Sequence, residues 1–274
     1  MLKKLLKYDL RAVFKLWWIA AAVTVVMAVL GGFAGLIQTY SDRLPEVITV
    51  ITGFVRFFAY FCIAALFVLT QVLLFVRYYK NFFTDEGYLT FTLPANREAL
   101  LNSKVITGIL AMLATSGIGL LNFGLMNYIS GNWDIIFDDW SSFREFCASI
   151  TEETGIYLLI YSGEVLMIAA ITLLLSVLFL FCCITFGSMI VKRGKLLASI
   201  GIYYGATSIF VTTAQLLLIF GIGSIGVWFS RFPEEARYPM LTLVLLIILL
   251  FLAALCALIY AFTYWMLDRK LNLS

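Results

Sequence analysis

The chain contains no histidine, and only 13% of its 274 residues are charged. Histidine is the commonest general base and metal ligand near neutral pH, so its absence removes the usual catalytic and metal-binding side chain. The five cysteines form no CxxC pair, and we therefore expect neither a metal site nor a disulfide framework. The small net charge of +3 gives no indication of nucleic-acid binding.

The chain is also unusually apolar, with 63% hydrophobic residues. Six long apolar runs separate seven polar segments. Counted from the N-terminus, the first, third, fifth and seventh polar segments carry a net charge of +9, whereas the second, fourth and sixth carry −6. Cytoplasmic segments of membrane proteins hold an excess of Lys and Arg. The sequence therefore predicts six membrane crossings with both ends in the cytoplasm, at 17–37, 51–76, 105–129, 156–191, 196–229 and 240–267.

The predicted fold is an all-α integral membrane protein: a six-span domain over 17–274, preceded by an amphipathic interfacial helix at 1–16. Apolar residues of this first segment recur at helical spacing, and lysines and an arginine occupy the other faces. Such a helix lies along the membrane surface with its basic side towards anionic headgroups. The alternative is that these cations are ordinary positive-inside anchors.

Two of the apolar runs exceed the roughly 20 residues that a bilayer needs. We expect the fourth and fifth spans either to tilt and project, or to break near Gly163 or at Gly221, Gly223 and Gly226. The segment 130–155 is the longest on the outer side. It is expected to be a loop that carries a short amphipathic helix on the outer leaflet.

The cytosolic loop 77–104 is rich in aromatic residues that a simple connection would not need. Exposed aromatic side chains beside the acids Asp85 and Glu86 are typical of a protein-docking surface. We expect a short helix over 79–86 that ends at Gly87. The alternative is an interfacial hairpin whose aromatic rings rest among lipid headgroups. The aromatic residues are Tyr78, Tyr79, Phe82, Phe83, Tyr88 and Phe91.

The string FFTDEGYLTFTLPANREALLNSK, with its basic lead-in RYYKN, resembles the loop between the second and third spans of small permease subunits of bacterial ATP-binding-cassette exporters. The rest of the chain is similar to this type-2 permease superfamily only in its six-span plan. The resemblance implies a coupling helix that docks in a separate ATPase subunit. Phe82 and Phe83 would be its buried anchors, Asp85, Glu86 and Tyr88 its orienting contacts, with Tyr79 and Gly87 in the same docking set.

The resemblance also implies the partners and the location. These are an ABC ATPase subunit, a second permease subunit identical or sister to this one, and the lipid bilayer of a bacterial plasma membrane. This chain has no phosphate-binding loop, because its nearest string, Gly194-Lys195-Leu196, lacks the required Ser or Thr. ATP and Mg²⁺ are thus expected on the partner, with no cofactor or metal on this chain. A membrane enzyme is disfavoured, because no cluster of polar catalytic residues is evident.

Two ionisable residues, Arg56 and Glu164, fall inside the apolar runs. Ionisable groups at depth are costly and usually face protein or water. Both lie towards the outer side, at depths of about 8 and 12 Å by helical rise. They are interpreted either as an ion pair that fixes helix register or as a gate near the outer mouth. A third alternative is that Arg56 reaches the outer headgroups.

Weak polar stripes follow the second and fifth spans. In the permeases that this chain resembles, those two spans line the substrate path. The alternative is that these polar groups join helices to one another. Net acidic outer segments would suit a cationic peptide or drug as substrate. The candidate path residues are Gln71, Tyr204, Ser208, Thr212 and Gln215.

The sequence thus favours the permease subunit of an ATP-driven exporter, which carries out no bond chemistry itself. Two alternatives stay open. An ion-coupled carrier would use intramembrane acids near broken, repeated helices. A non-transporting scaffold or regulatory subunit would use the docking loop alone.

Overall fold

A computed structural model describes residues 2–40, 45–84, 87, 96–131, 133–191, 194–229 and 234–269. Within these ranges, most side chains of 133–159 and of 217–238 are not described. The described chain is entirely helical and contains no strand. Its six helices are α1 (Leu2–Tyr40), α2 (Glu46–Phe83), α3 (Arg97–Ile129), α4 (Trp133–Ile190), α5 (Lys195–Phe229) and α6 (Glu234–Arg269).

All six helices are long and apolar enough to cross a membrane, which confirms the predicted all-α plan with six candidate spans in the described residues. Helix is the expected conformation here, because a backbone in hydrocarbon must satisfy its N–H and C=O groups within its own segment. The only proline inside a described helix is Pro239, near the start of α6. Pro239 is the sixth residue of α6, so its missing N–H costs the helix one hydrogen bond, to the carbonyl of Glu235.

The sequence left two alternatives for the long fourth and fifth spans, and of these the break at glycine is wrong. α4 runs unbroken through Gly163 for 58 residues, and α5 runs unbroken past Gly221, Gly223 and Gly226. A glycine inside a helix costs about 1 kcal/mol relative to alanine. In lipid, an unsatisfied backbone group costs several kcal/mol, so the helix continues through glycine. By helical rise α4 is about 87 Å long and must extend well beyond the hydrocarbon layer.

The segment 130–155 is helix for most of its length instead of the expected loop. α3 ends at Ile129 and α4 begins at Trp133. Gly131 lies between them with a φ of 71°, a left-handed conformation that favours glycine. The predicted short outer helix is therefore the first part of α4.

The N-terminal segment also differs from the expected arrangement. α1 is one continuous helix from Leu2 to Tyr40, with no boundary at residue 16. The separate interfacial helix at 1–16 is therefore not a distinct element of the fold. That this segment lies on a membrane surface stays a prediction.

The chain forms two compact units. The first consists of Met1–Arg77 and Asn102–Ser149, and the second of Tyr78–Leu101 and Ile150–Ser274. Because the boundaries fall inside α2, α3 and α4, each of these helices contributes to both units.

Hydrogen bonds between side chains join α1, α2 and α3 in the first unit. Trp17 Nε1 donates to Thr115 Oγ1 at 2.9 Å, and Thr115 Oγ1 lies 2.9 Å from Thr70 Oγ1. Further along, Asn122 Nδ2 donates to Thr24 Oγ1 at 3.0 Å. Lipid tails are as apolar as leucine, so helices in membranes associate through such bonds and through close packing.

Close packing in this unit depends on glycines of α1. A β-carbon added at Gly31 would lie 2.6 Å from Ala59 Cβ and 2.9 Å from Met126 Sδ. One added at Gly35 would lie 2.7 Å from Ser130 Cβ. α1 therefore approaches α2 and α3 more closely than a larger residue would allow.

The first unit also contains a buried ion pair that the sequence analysis missed. Lys104 Nζ donates to Asp9 Oδ1, and Ser103 Oγ donates to Asp9 Oδ2 at 3.2 Å. Asp9 and Lys104 are only 4% and 7% exposed. The sequence did contain a signal for this buried charge. At 100° per residue, Asp9 lies about 180° from the centre of the basic side of α1, among its apolar residues.

In the second unit, the end of α2 packs on α4. The rings of Tyr78 and Phe181 stack with centroids 4.2 Å apart, and Tyr78 Oη lies 2.9 Å from Thr185 Oγ1. α4 meets α5 nearby, where a β-carbon added at Gly187 would lie 2.6 Å from Ser199 Cα. These contacts hold the last turns of α2 in place.

We predict that Gly31→Ala destabilises the protein by about 1–3 kcal/mol, because the new methyl group overpacks the contact with Ala59. Gly124→Ala is the matched control, since a β-carbon there meets nothing within 4 Å. Thermal unfolding in detergent should show a lower Tm for the first variant only. Equal Tm values for both would contradict the close approach of α1 to α2.

We predict that Asp9→Leu or Lys104→Met alone destabilises the protein by about 3–5 kcal/mol, because each leaves a buried partner charge unpaired. The double variant Asp9→Leu/Lys104→Met should recover most of that loss, because it buries no charge. Unfolding free energies combined in a double-mutant cycle test this. Additive losses would show that the two side chains do not interact.

Candidate docking surface at the end of the second helix

The aromatic residues of the loop 77–104 begin inside α2, which continues to Phe83. The described part of the expected short helix over 79–86 is thus the last turn of α2, and residues 85–86 lie outside the described residues. After Phe83 the chain turns, with Gly87 N donating to Thr84 O at 2.7 Å. A β-carbon at Gly87 would lie 2.8 Å from Phe82 O, so this turn requires glycine.

Two of the aromatic residues, Tyr78 and Phe82, are buried in the second unit and each is only 1% exposed. Their ring centroids lie 4.9 Å apart, one helical turn from each other. The i, i+4 spacing of these two residues is the sequence signal that could have indicated a buried face. In this conformation Phe82 packs within its own chain, and its role as an anchor in a partner stays a prediction.

The remaining described residues at this end form an accessible patch of Tyr79, Lys80, Phe83 and Thr84, which we call the α2 patch. Tyr79 and Phe83 are half-buried with ring centroids 6.0 Å apart, while Lys80 and Thr84 are exposed. The expected contacts Asp85, Glu86 and Tyr88 lie outside the described residues. The α2 patch combines aromatic rings with a cation, which suits docking on a mixed apolar and polar surface.

The other end of the loop is attached to the last helix. At the start of α3, Arg97 Nη1 donates to Leu267 O at 3.2 Å and to Asp268 Oδ1 at 2.9 Å. These acceptors lie in the last turn of α6, where carbonyl groups have no intrahelical partner. A polar cleft of about 570 Å³ lies beside them and is lined by Asn96, Arg97, Glu98, Tyr264 and Asp268.

The two intramembrane ionisable residues lie in different units. Arg56, in the first unit, is half-buried, and its Cζ would lie 3.6 Å from a β-carbon added at Gly35. Glu164, in the second unit, is 8% exposed, and its Oε2 has no hydrogen-bond partner in the described part of the chain. Their pairing or gating role stays a prediction.

The candidate path residues differ in how exposed their side chains are. Gln71 of α2 is half-buried. The α5 residues Tyr204, Ser208, Thr212 and Gln215 are exposed on one face of the helix. β-carbons added at Gly201 and Gly205, on the same face, meet nothing within 4 Å. This face of α5 is therefore uncovered by the described chain, and its substrate-path role stays a prediction.

The fold defines the class of the molecule as a multi-pass α-helical membrane protein with six candidate spans. Comparison with known protein families, with curated proteins and with solved structures found no match.

We predict that Phe82→Ala destabilises the protein by about 3–5 kcal/mol, because it opens a cavity beside Tyr78. Tyr79→Ala removes a partly exposed ring one turn away and should cost about 1 kcal/mol or less. Urea or thermal unfolding in detergent compares the two. A small loss for Phe82→Ala would contradict its burial in the second unit.

Proposed function

We propose that the chain is the transmembrane permease subunit of an ATP-driven exporter in a bacterial plasma membrane. A separate ATPase subunit would hydrolyse ATP, and this chain would couple that reaction to substrate export. The observation that carries the proposal is the sequence 77–104, which joins two membrane-length helices and resembles the coupling loop of such permeases.

The position of this loop supports a mechanical role. It joins the end of α2 at Phe83 to the start of α3 at Arg97, so force applied to it would act on both helices. Arg97 also ties the start of α3 to the last turn of α6. An exposed ion pair of this kind contributes at most about 1 kcal/mol, which allows it to break and re-form.

In the proposed cycle, two permease subunits form a central path and two ATPase subunits bind beneath them. ATP binding closes the ATPase pair, and the loops carry that motion into the helices and open the path outward. ATP and Mg²⁺ are held by the partner. Acidic outer segments are consistent with cationic peptides or drugs as substrates.

The geometry refines the proposed docking residues. Phe82 would hold the end of α2 in its own unit, since it is already buried there. The α2 patch would then supply the accessible contacts, with Phe83 as the principal anchor. Asp85, Glu86 and Tyr88 complete the proposed surface from the adjoining sequence.

An ion-coupled carrier is the second candidate, and one observation favours it. Glu164 is a buried acid in a membrane-length helix, with one carboxylate oxygen unpartnered in the described chain. Buried intramembrane acids are common in proton and cation pathways. A non-transporting scaffold that docks through the same loop is the third candidate.

The exporter proposal predicts an ATPase partner bound through the α2 patch. We would purify the wild-type chain in mild detergent beside Lys80→Glu/Phe83→Asp, which leaves Phe82 intact, and identify co-purifying proteins. Tyr128→Asp is the matched control, because it alters an aromatic residue that is 66% exposed at the other end of α3. An ABC ATPase should accompany the wild type and the control but not the patch variant.

Absence of an ATPase from all three samples would contradict the exporter proposal. Ion-driven uptake or efflux by the chain in vesicles, lost in Glu164→Gln, would then support the carrier. An ATPase retained by the patch variant would place the docking surface elsewhere on the chain.

A further inference from the structure

The first four turns of α1 present an exposed basic face. It consists of five side chains, all exposed: Lys3, Lys4, Lys7, Arg11 and Lys15. At 100° per residue these positions fall within an arc of about 120° on the helix. The five cations therefore point to one side of α1 and not around it.

No acidic residue of α1 itself lies on this basic face. The only acidic residue in this part of α1 is Asp9, which lies on the opposite side of the helix. Asp9 is 4% exposed and accepts hydrogen bonds from Lys104 and Ser103 of α3. Its negative charge is thus directed into the first unit, and the exposed face is uniformly positive.

Aromatic residues mark where this helix enters the membrane. Phe14, Trp17 and Trp18 form a contiguous cluster with ring centroids 5.0–6.4 Å apart. Trp17 is buried and bonded to Thr115, whereas Trp18 is 63% exposed. Tryptophan is enriched at the headgroup level of membranes, so exposed Trp18 indicates the depth of the interface.

The distances from Trp18 separate the five cations into two sets. By helical rise, Lys15 lies about 4.5 Å and Arg11 about 10.5 Å along the axis from Trp18. The headgroup layer is about 5–8 Å thick on each side of the hydrocarbon. Long Lys and Arg side chains extend this reach further. Lys7 lies about 16.5 Å away and Lys3 and Lys4 about 21–23 Å away, beyond the headgroup layer.

We propose that Arg11 and Lys15 form a binding site for the phosphate of anionic phospholipids at the start of α1. The charge complements an anionic headgroup, and Trp18 holds the site at the depth of the phosphates. Each juxtamembrane cation contributes about 1 kcal/mol to binding anionic lipid. This site would exist whether or not the chain is a permease.

The test uses the purified full chain in neutral detergent, titrated with phosphatidylglycerol or with phosphatidylcholine of the same acyl chains. Native mass spectrometry gives the lipid affinities. The wild type should prefer phosphatidylglycerol, and 0.5 M salt should weaken that preference, since binding is electrostatic. Arg11→Gln/Lys15→Gln should weaken phosphatidylglycerol binding by about 30-fold and leave phosphatidylcholine binding unchanged.

Two matched variants control for charge alone. Lys3→Gln/Lys4→Gln removes the same net charge from the same face, and Lys80→Gln removes a cation from the end of α2. Both should retain most of the phosphatidylglycerol preference. The proposal is overturned if the wild type binds both lipids equally, or if Lys3→Gln/Lys4→Gln loses as much preference as Arg11→Gln/Lys15→Gln.

Discussion

The hydrocarbon around the membrane helices constrains the whole structure. A backbone there must satisfy its own hydrogen bonds, and apolar side chains have no hydrophobic driving force to associate, because lipid is as apolar as they are. The first constraint explains why glycines do not interrupt α4 or α5. The second explains why the first unit is held by specific contacts. These are the Trp17–Thr115–Thr70 bonds, the close approach at Gly31 and the buried Asp9–Lys104 pair.

The same constraint organises the proposed docking region. An aromatic residue at the membrane border either packs inside its own chain or stays accessible to a partner. The end of α2 contains aromatic residues of both kinds. Tyr78 and Phe82 are buried within the second unit, whereas Tyr79 and Phe83 are partly exposed. The buried pair would fix the orientation of α2, and the α2 patch would meet the ATPase. A rigid helix with an accessible end is what force transmission requires.

Composition was sufficient to predict six membrane-length helices, because hydrophobic length is a property of single segments. Contacts between segments were not predictable in the same way. The sequence left open whether the long fourth and fifth spans project beyond the bilayer or break at glycines, since it shows helix propensity but not the cost of exposing backbone groups to lipid. It treated the aromatic residues of the loop 77–104 as one surface, although their i, i+4 spacing separates a buried face from an exposed one. Asp9 was overlooked because its partners Ser103 and Lys104 lie more than 90 residues away.

Site-specific photocrosslinking in living cells tests the central claim most directly. A photoreactive benzoylphenylalanine at position 83 of the α2 patch would be compared with the same group at position 128, at the other end of α3. The account predicts a crosslink from position 83 to a protein that carries a phosphate-binding loop, and none from position 128. A position-83 probe that reacts only with lipid or with this chain itself would contradict a docked ATPase and, with it, the exporter proposal.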